Sequence, residues 1–458
     1  MPVYTNYLTV AEYGIIEIFY VISSVISGFL AVGLAHATLR FYFEYKELHD
    51  KHAVVSTNLI GSFGISIVGS LIVAVMASTI TAHFMGNTNF TYGIYIILIT
   101  LVFEISSQIC LAYIRAIEYS ILFVGVSIAK LLIQVGINSY LVVVEHAGIN
   151  GVLLGNMITV IAGWLVLAIF TFRHCGIKFH LEKFIPVIKY SLPFLLSTII
   201  GLISTNIDKI MLNYLVSLEV LGLYALALKF SMIIEQLIGE PFSRSYGAFR
   251  YTIMRDNHAA SMQASIVKYL FIFTMALSLG MSYFVDDILH IMSAKEYWPA
   301  ASIVPIVIIA SIIRIMTYPA QSGILFAKET KYFFYFTFVA AVVGVISSFV
   351  FIKLFGLVGA CIGVIVTELS VLLMTHRISQ RYFKVDYDYR AMMYVIIVTV
   401  LFYFISLIDI DNFVISIIIK MLLLGIYAVS IYKLPILNTE EKVKLSSFIV
   451  DKLASRKK

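Results

Sequence analysis

The stretch Gly148-Ile-Asn-Gly151-Val-Leu-Leu-Gly155-Asn-Met-Ile-Thr159 recurs as Gly356-Leu-Val-Gly359-Ala-Cys-Ile-Gly363-Val-Ile-Val-Thr367, without a gap and with four identities at an offset of 208. Each copy opens a long apolar run, and small residues at this spacing occupy one helix face, which suits close packing in lipid. A second echo falls at almost the same offset: Asn6-Tyr7-Leu8 precedes Gly14, and Asn213-Tyr214-Leu215 precedes Gly222. Two matches at one offset predict a chain made of two like halves.

The runs around these blocks decide the solvent. Thirteen apolar segments are long enough to cross ~30 Å of hydrocarbon as helices, at about 14–39, 55–82, 91–114, 119–145, 149–172, 186–212, 217–240, 263–285, 299–325, 331–354, 356–378, 391–409 and 411–433. The 458 residues are 61% apolar and 13% charged, with mean hydropathy +0.97. A usual charged share is ~25%, and no soluble chain hides this much apolar surface. The composition excludes a cytosolic enzyme, a disordered chain and a disulfide scaffold. Cys110, Cys175 and Cys361 lie far apart with no CxxC spacing. His174, Cys175 and His180 lack metal-ligand spacing, so no metal site is expected. The fold class is therefore all-α, a polytopic transmembrane bundle. An even number of spans separates the repeat copies, so both halves share one orientation.

Alternate connections and the C-terminal tail carry 23 cations, whereas the opposite connections carry two, Lys295 and Lys353. Positive loops stay inside. The C-terminus is thus expected in the cytoplasm, and thirteen spans would place Met1 outside. The longest connection, 240–262, alternates Phe242, Tyr246, Phe249 and Tyr251 with Arg244, Arg250 and Arg255. It reads as an interfacial loop whose arginines meet lipid phosphates. No connection is long enough for a catalytic domain.

Local patterns then accumulate along the chain: Tyr7-Leu-Thr-Val-Ala-Glu-Tyr-Gly14, Gly33-Leu-Ala-His-Ala-Thr-Leu-Arg40-Phe-Tyr-Phe-Glu44, Ser204-Thr-Asn-Ile-Asp208-Lys-Ile-Met-Leu212, Val220-Leu-Gly-Leu-Tyr224-Ala-Leu-Ala, Tyr297-Trp-Pro-Ala300 and the Gly356 block. In order and spacing the chain resembles the polysaccharide-exporter branch of the multidrug/oligosaccharidyl-lipid/polysaccharide (MOP) superfamily. The resemblance implies a flippase, not an enzyme, for polyprenyl-diphosphate-linked oligosaccharides of O-antigen, lipopolysaccharide or capsule type in the bacterial cytoplasmic membrane. It also implies six-helix lobes. Residues 1–175 form an N-terminal lobe with five helices, 183–380 a C-terminal lobe with six, 388–433 two extra helices and 434–458 a basic cytoplasmic tail. The first family helix is absent from the N-terminal lobe, and upstream coding sequence is expected to supply it. Expected partners are the lipid-linked substrate, membrane lipids and polysaccharide polymerases or glycosyltransferases. Nucleic acid is not expected, and the chain is expected to be a monomer.

Ionisable groups inside a bilayer cost at least ~2.5–3.5 kcal/mol each, so each needs a reason. Lys130 and Glu104 fall at nearly equal depth on neighbouring runs, as either an ion pair or cavity-lining groups. Lys229 and Arg314 lie mid-membrane without a clear partner and are expected to face a water-filled cavity, where cations would replace the hydration of a diphosphate. Arg40 and Arg115 sit at the cytoplasmic mouth, as entry residues or as ordinary positive-inside anchors. Asp208, Glu368 and Glu104 are candidates for proton or sodium coupling; no other cofactor is expected. His36 is expected to be a satisfied polar contact rather than a group that titrates near neutrality, and Lys420 either meets headgroups or pairs locally. The alternatives to a flippase are a multidrug or organic-cation antiporter, a membrane polysaccharide polymerase, and an uncoupled scramblase or scaffold.

Overall fold

Thr9 starts the first long helix. Its hydroxyl accepts from the Glu12 amide at 3.2 Å while the Glu12 carboxylate accepts from the Thr9 amide at 2.8 Å, so two otherwise unpaired donors at the helix start are satisfied reciprocally. The computed structural model describes residues 2–86, 88–253, 256, 258–408, 413–434 and 436. Its helices are α1 Pro2–Tyr7, α2 Val10–Ala31, α3 Leu34–Glu44, α4 Leu48–Val75, α5 Ala77–Met85, α6 Thr91–Ala116, α7 Ser120–Ser139, α8 Gly148–Cys175, α9 Leu181–Leu215, α10 Leu218–Ile234, α11 Glu240–Ile253, α12 Ala259–Met292, α13 Val304–Ala320, α14 Ser322–Phe326, α15 Lys331–Tyr382, α16 Tyr389–Ser406 and α17 Phe413–Lys433. There is no strand among the described residues.

Eleven described helices are long and apolar enough to cross a membrane, and twelve if α9, bent by 47° between Leu181–Pro193 and Thr198–Leu215, counts as one span. Pro193 removes an amide from the α9 ladder and crowds the carbonyl four residues back, which accounts for the bend. α15 is 52 residues long, or ~78 Å at 1.5 Å per residue, far more than one crossing needs. It breaks at Gly356, whose φ of 56° and ψ of −123° suit a residue without Cβ. Divided there, α15 supplies the two runs expected at 331–354 and 356–378. The second repeat block therefore begins at a real helix boundary.

The contacts group the chain into two units. The first holds Met1–Ala225, Met292–Glu296 and Gly344–Ala360; the second holds Leu226–Ile291, Tyr297–Val343 and Cys361–Lys458. In the first unit α6 packs between α4 and α8, α7 lies against α8, and α9 lies on α2. Leu34, Leu59, Ile109, Ile114 and Leu167 form its core. On α7, Ile121, Val124, Leu131, Leu132 and Val135 are exposed; in water such a stripe would drive aggregation, and in lipid it is the outer surface.

The two echo glycines meet within this first unit. A Cβ on Gly14 would overlap the Leu218 carbonyl, and a Cβ on Gly222 would overlap the Val10 carbonyl. Val10 and Leu218 are 208 apart, as are Gly14 and Gly222. Each residue of one copy thus meets the other's counterpart reciprocally, as in a contact across a twofold axis. Close approach of the two backbones is what these glycines permit.

In the second unit α10 does not stop at Ile234. It continues through a single π turn, Glu235–Gly239, into α11. The segment expected to be an interfacial loop is thus largely helix. Arg244 pairs with Glu240 at 3.0 Å on its exposed side. Arg250 is 7% exposed and lies over the Tyr246 ring, 5.1 Å from its centroid, rather than at a lipid surface. Arg255 and most of the expected tail, 434–458, lie outside the described residues.

Candidate functional site

Among the described residues, one charged cluster inside the spans lies in the first unit and another in the second. In the first unit, Lys209 on α9 meets Glu17 on α2 at 2.5 Å, with side chains only 18% and 6% exposed. Its neighbour Asp208 turns to another partner, because successive residues on a helix point about 100° apart. Tyr224 on α10 donates its hydroxyl to Asp208 Oδ2, while Asp208 Oδ1 is buried with no hydrogen-bond partner. Asn206 donates to the Leu202 carbonyl at 2.9 Å and to Ser24 at 3.4 Å. Asp208 therefore stands in a polar layer between α2, α9 and α10, with one oxygen open. Sequence reasoning missed Glu17, whose partner is 192 residues away.

In the second unit Arg314 on α13 has partners, contrary to the expectation that it stands alone. Its Nε and Nη2 donate to Glu368 Oε1 at 2.9 and 2.6 Å, and its Nη1 donates to Glu235 Oε2 at 3.2 Å. Tyr318 donates to Glu235 Oε1 at 3.1 Å. Two carboxylates against one guanidinium leave one negative charge in excess. Arg314 is thus not the open anion-binding cation that its depth suggested. Glu235 opens the π turn; single-turn π bulges frequently occur at functional sites, and here the wider turn helps aim the carboxylate at α13. The two acids are held by different helices with the guanidinium between them, so the cluster ties the π turn after α10, α13 and the second part of α15 together.

Lys229 lies on α10. It is half-buried and makes no hydrogen bond or ion pair among the described residues. Lys130 is half-buried as well, its stem lying along Gly163 of α8. It forms no direct ion pair with Glu104 among the described residues, although the two are close enough to interact electrostatically. Lys130 lines a largely apolar hollow of about 340 Å³ between α7 and α8. Arg40 lies over the Tyr190 ring at 4.2 Å and within 3.8 Å of Glu44, more than half exposed. Arg115 is exposed and donates to the Leu111 carbonyl at 3.3 Å. His36 is exposed. Lys420 resolves its ambiguity by pairing with Asp287 at 2.5 Å, which ties α17 to α12. No group of three or more His, Cys, Asp or Glu side chains among the described residues can hold a metal ion.

Residues 1–246 match a family described as Polysaccharide biosynthesis protein. No curated protein matches the chain by sequence. Among solved structures, a lipid II flippase, MurJ, in an inward closed conformation superposes with a TM-score of 0.72 at 16% identity, covering 94% of this chain and 95% of that one. An inward-facing multidrug resistance MATE family transporter of the MOP superfamily gives 0.62 at 14%, covering 83% and 92%. The Vibrio cholerae MATE transporter VcmN, as a point mutant, gives 0.53 at 12%, covering 81% and 88%. At these identities the likeness is one of fold: an all-helical membrane bundle of the MOP type.

Proposed function

Because this chain belongs to the polysaccharide biosynthesis protein family, whose match spans 246 of its 458 residues, we propose that it is a flippase that moves a polyprenyl-diphosphate-linked oligosaccharide across the bacterial cytoplasmic membrane by alternating access. It is a multi-pass membrane protein with the fold of MOP transporters. The finer reading rests on Lys229. A cation in a span costs at least ~2.5–3.5 kcal/mol without a compensating group, and Lys229 has no such group among the described residues. A diphosphate is a ligand that meets this need, because charge-assisted hydrogen bonds replace the hydration it loses. Lys130, Arg40 and Arg115 in the first unit are further candidates for anion contact in this proposal. Asp208, with one open oxygen, and the Glu235–Arg314–Glu368 cluster, with one surplus negative charge, are the coupling groups, and Glu104 beside Lys130 is a third candidate. No bond in the substrate is made or broken, the polyprenyl tail stays in lipid, and the C-terminus is cytoplasmic.

The surplus carboxylate at Arg314 favours one competing reading, a multidrug or organic-cation antiporter. An export assay separates the two. Lys229→Ala should abolish glycan export at normal protein levels, and Lys229→Arg should keep part of it, since charge matters more than shape. Normal glycan export by Lys229→Ala, with efflux of organic cations by the native chain, would replace the flippase by the antiporter.

A further inference from the structure

One cavity lies apart from both charged clusters. It has a volume of about 600 Å³, within the range of small-molecule sites. It sits in the second unit where α12 ends, where a 3-10 turn, Lys295–Ser302, leads into α13, and where α16 ends and α17 begins. All of these ends belong to connections that carry almost no cations, the side expected to face outward.

Its lining is rich in oxygen acceptors and also holds the hydroxyls of Tyr403 and Ser416. Ser282, Ser302 and Ser406 line it, and each already donates its hydroxyl proton to a backbone carbonyl, of Ser278, Pro299 and Tyr403, at 2.7–2.8 Å. Their oxygens retain acceptor capacity. The lining ammonium, Lys420, is taken up by Asp287. Asp286 has a 59% exposed side chain whose ion-pair neighbour is His290 at 3.5 Å, so its carboxylate has lone pairs to spare. Beside these acceptors stands Trp298, with the His290 ring packed against it, 3.8 Å between centroids and tilted by 31°; such ring contact helps to hold an indole in one orientation.

A ligand that uses this lining brings donors for the Asp286 carboxylate and the serine oxygens, is uncharged or nearly so, and offers an apolar face to an indole. An anion such as a diphosphate has no donors to give and would meet the charge of Asp286. A simple cation would use Asp286 but leave the serine oxygens and the indole without a role. We propose that the cavity is a binding site for an uncharged saccharide, whose hydroxyls donate to Asp286 and the serines while a ring face lies on Trp298. Resting on the flippase reading, this makes the pocket a holding site for the glycan portion at one face of the membrane, built partly from the two helices beyond the repeat.

The chain has two tryptophans, Trp164 and Trp298, which gives a direct readout. Trp164 stacks on Phe63 in the first unit, 5.3 Å between centroids, far along the chain from this cavity. In the full-length Trp164→Phe variant in lipid nanodiscs, Trp298 emission reports the site alone. Glucose, N-acetylglucosamine and chitobiose are titrated against inorganic pyrophosphate, sodium chloride and choline. A saturable change with at least one saccharide, weakened tenfold or more by Asp286→Ala, supports the site. No saturable change with any saccharide overturns it. A change that Asp286→Ala leaves intact, or saturation by pyrophosphate, sodium or choline instead, also overturns it. Transport by the same Trp164→Phe chain separates the two proposals. Transport without saccharide binding removes the pocket and leaves the flippase; saccharide binding without transport of a lipid-linked glycan supports the pocket and removes the flippase.

Discussion

Replacing Arg314 by Met takes away the cation that holds Glu235 and Glu368 together. The guanidinium makes three hydrogen bonds to the two carboxylates, at 2.6–3.2 Å, and the acids are only 19% and 17% exposed. Removing one partner of a fully buried ion pair costs about 3–5 kcal/mol, mostly because the other charge is stranded. Arg314 is itself 40% exposed, so solvent already screens part of the attraction, and a loss of about 2–3 kcal/mol is expected. That is roughly a 30- to 140-fold shift in the folding equilibrium. If stranded charge is the cause, Glu235→Gln and Glu368→Gln added to Arg314→Met should recover most of the loss, since the amides keep the shape and remove the charge. Equilibrium unfolding of the purified chain in mixed micelles measures this. An Arg314→Met protein as stable as the native one, or a triple variant as unstable as the single, would refute the reasoning.

Lys420→Met should cost about 3–5 kcal/mol in the same assay, because Asp287 would be left 13% exposed and unpaired, and Asp287→Leu added to it should restore stability. A Lys420→Met protein of native stability would mean the pair does not hold α17. Gly14→Leu and Gly222→Leu should each lower the thermal midpoint, by about 1–3 kcal/mol of overpacking, and by similar amounts because their contacts are reciprocal; tolerance of one and not the other would count against a twofold relation. Lys229→Cys should react with a charged thiol reagent while Cys110, Cys175 and Cys361, all buried, remain unlabelled; an unlabelled Lys229→Cys would remove the water-accessible cation. Asp208→Asn keeps an acceptor for Tyr224 but removes the charge, so transport should lose its dependence on an ion gradient; unchanged dependence would take Asp208 out of coupling.

The spans were legible because lipid imposes both length and composition, and neither depends on distant partners. Gly356 was legible too, since the repeat register placed a start where α15 breaks. What escaped was pairing across the bundle. Arg314 looked solitary because Glu235 and Glu368 lie 79 and 54 residues away, and no helical spacing connects them. The pairing of Lys209 with Glu17 was hidden because Lys209 adjoins Asp208, and only the fold shows that the neighbours face different helices. α11 did leave a signal: Phe242, Tyr246 and Phe249 repeat at i, i+4 and i+7, a helical period inside a polar segment read as a loop. The cavity beside Trp298 had no signal, because its serines, aspartates and indole come from four separate helix ends.

The flippase reading is tested most directly in proteoliposomes that hold the purified chain and a fluorescent polyprenyl-diphosphate-linked oligosaccharide, with outward exposure of the glycan read by a membrane-impermeant lectin. The expected result is protein-dependent exposure that quickens under a proton or sodium gradient and is lost with Lys229→Ala. Exposure at the rate of protein-free vesicles, with or without a gradient, would contradict it.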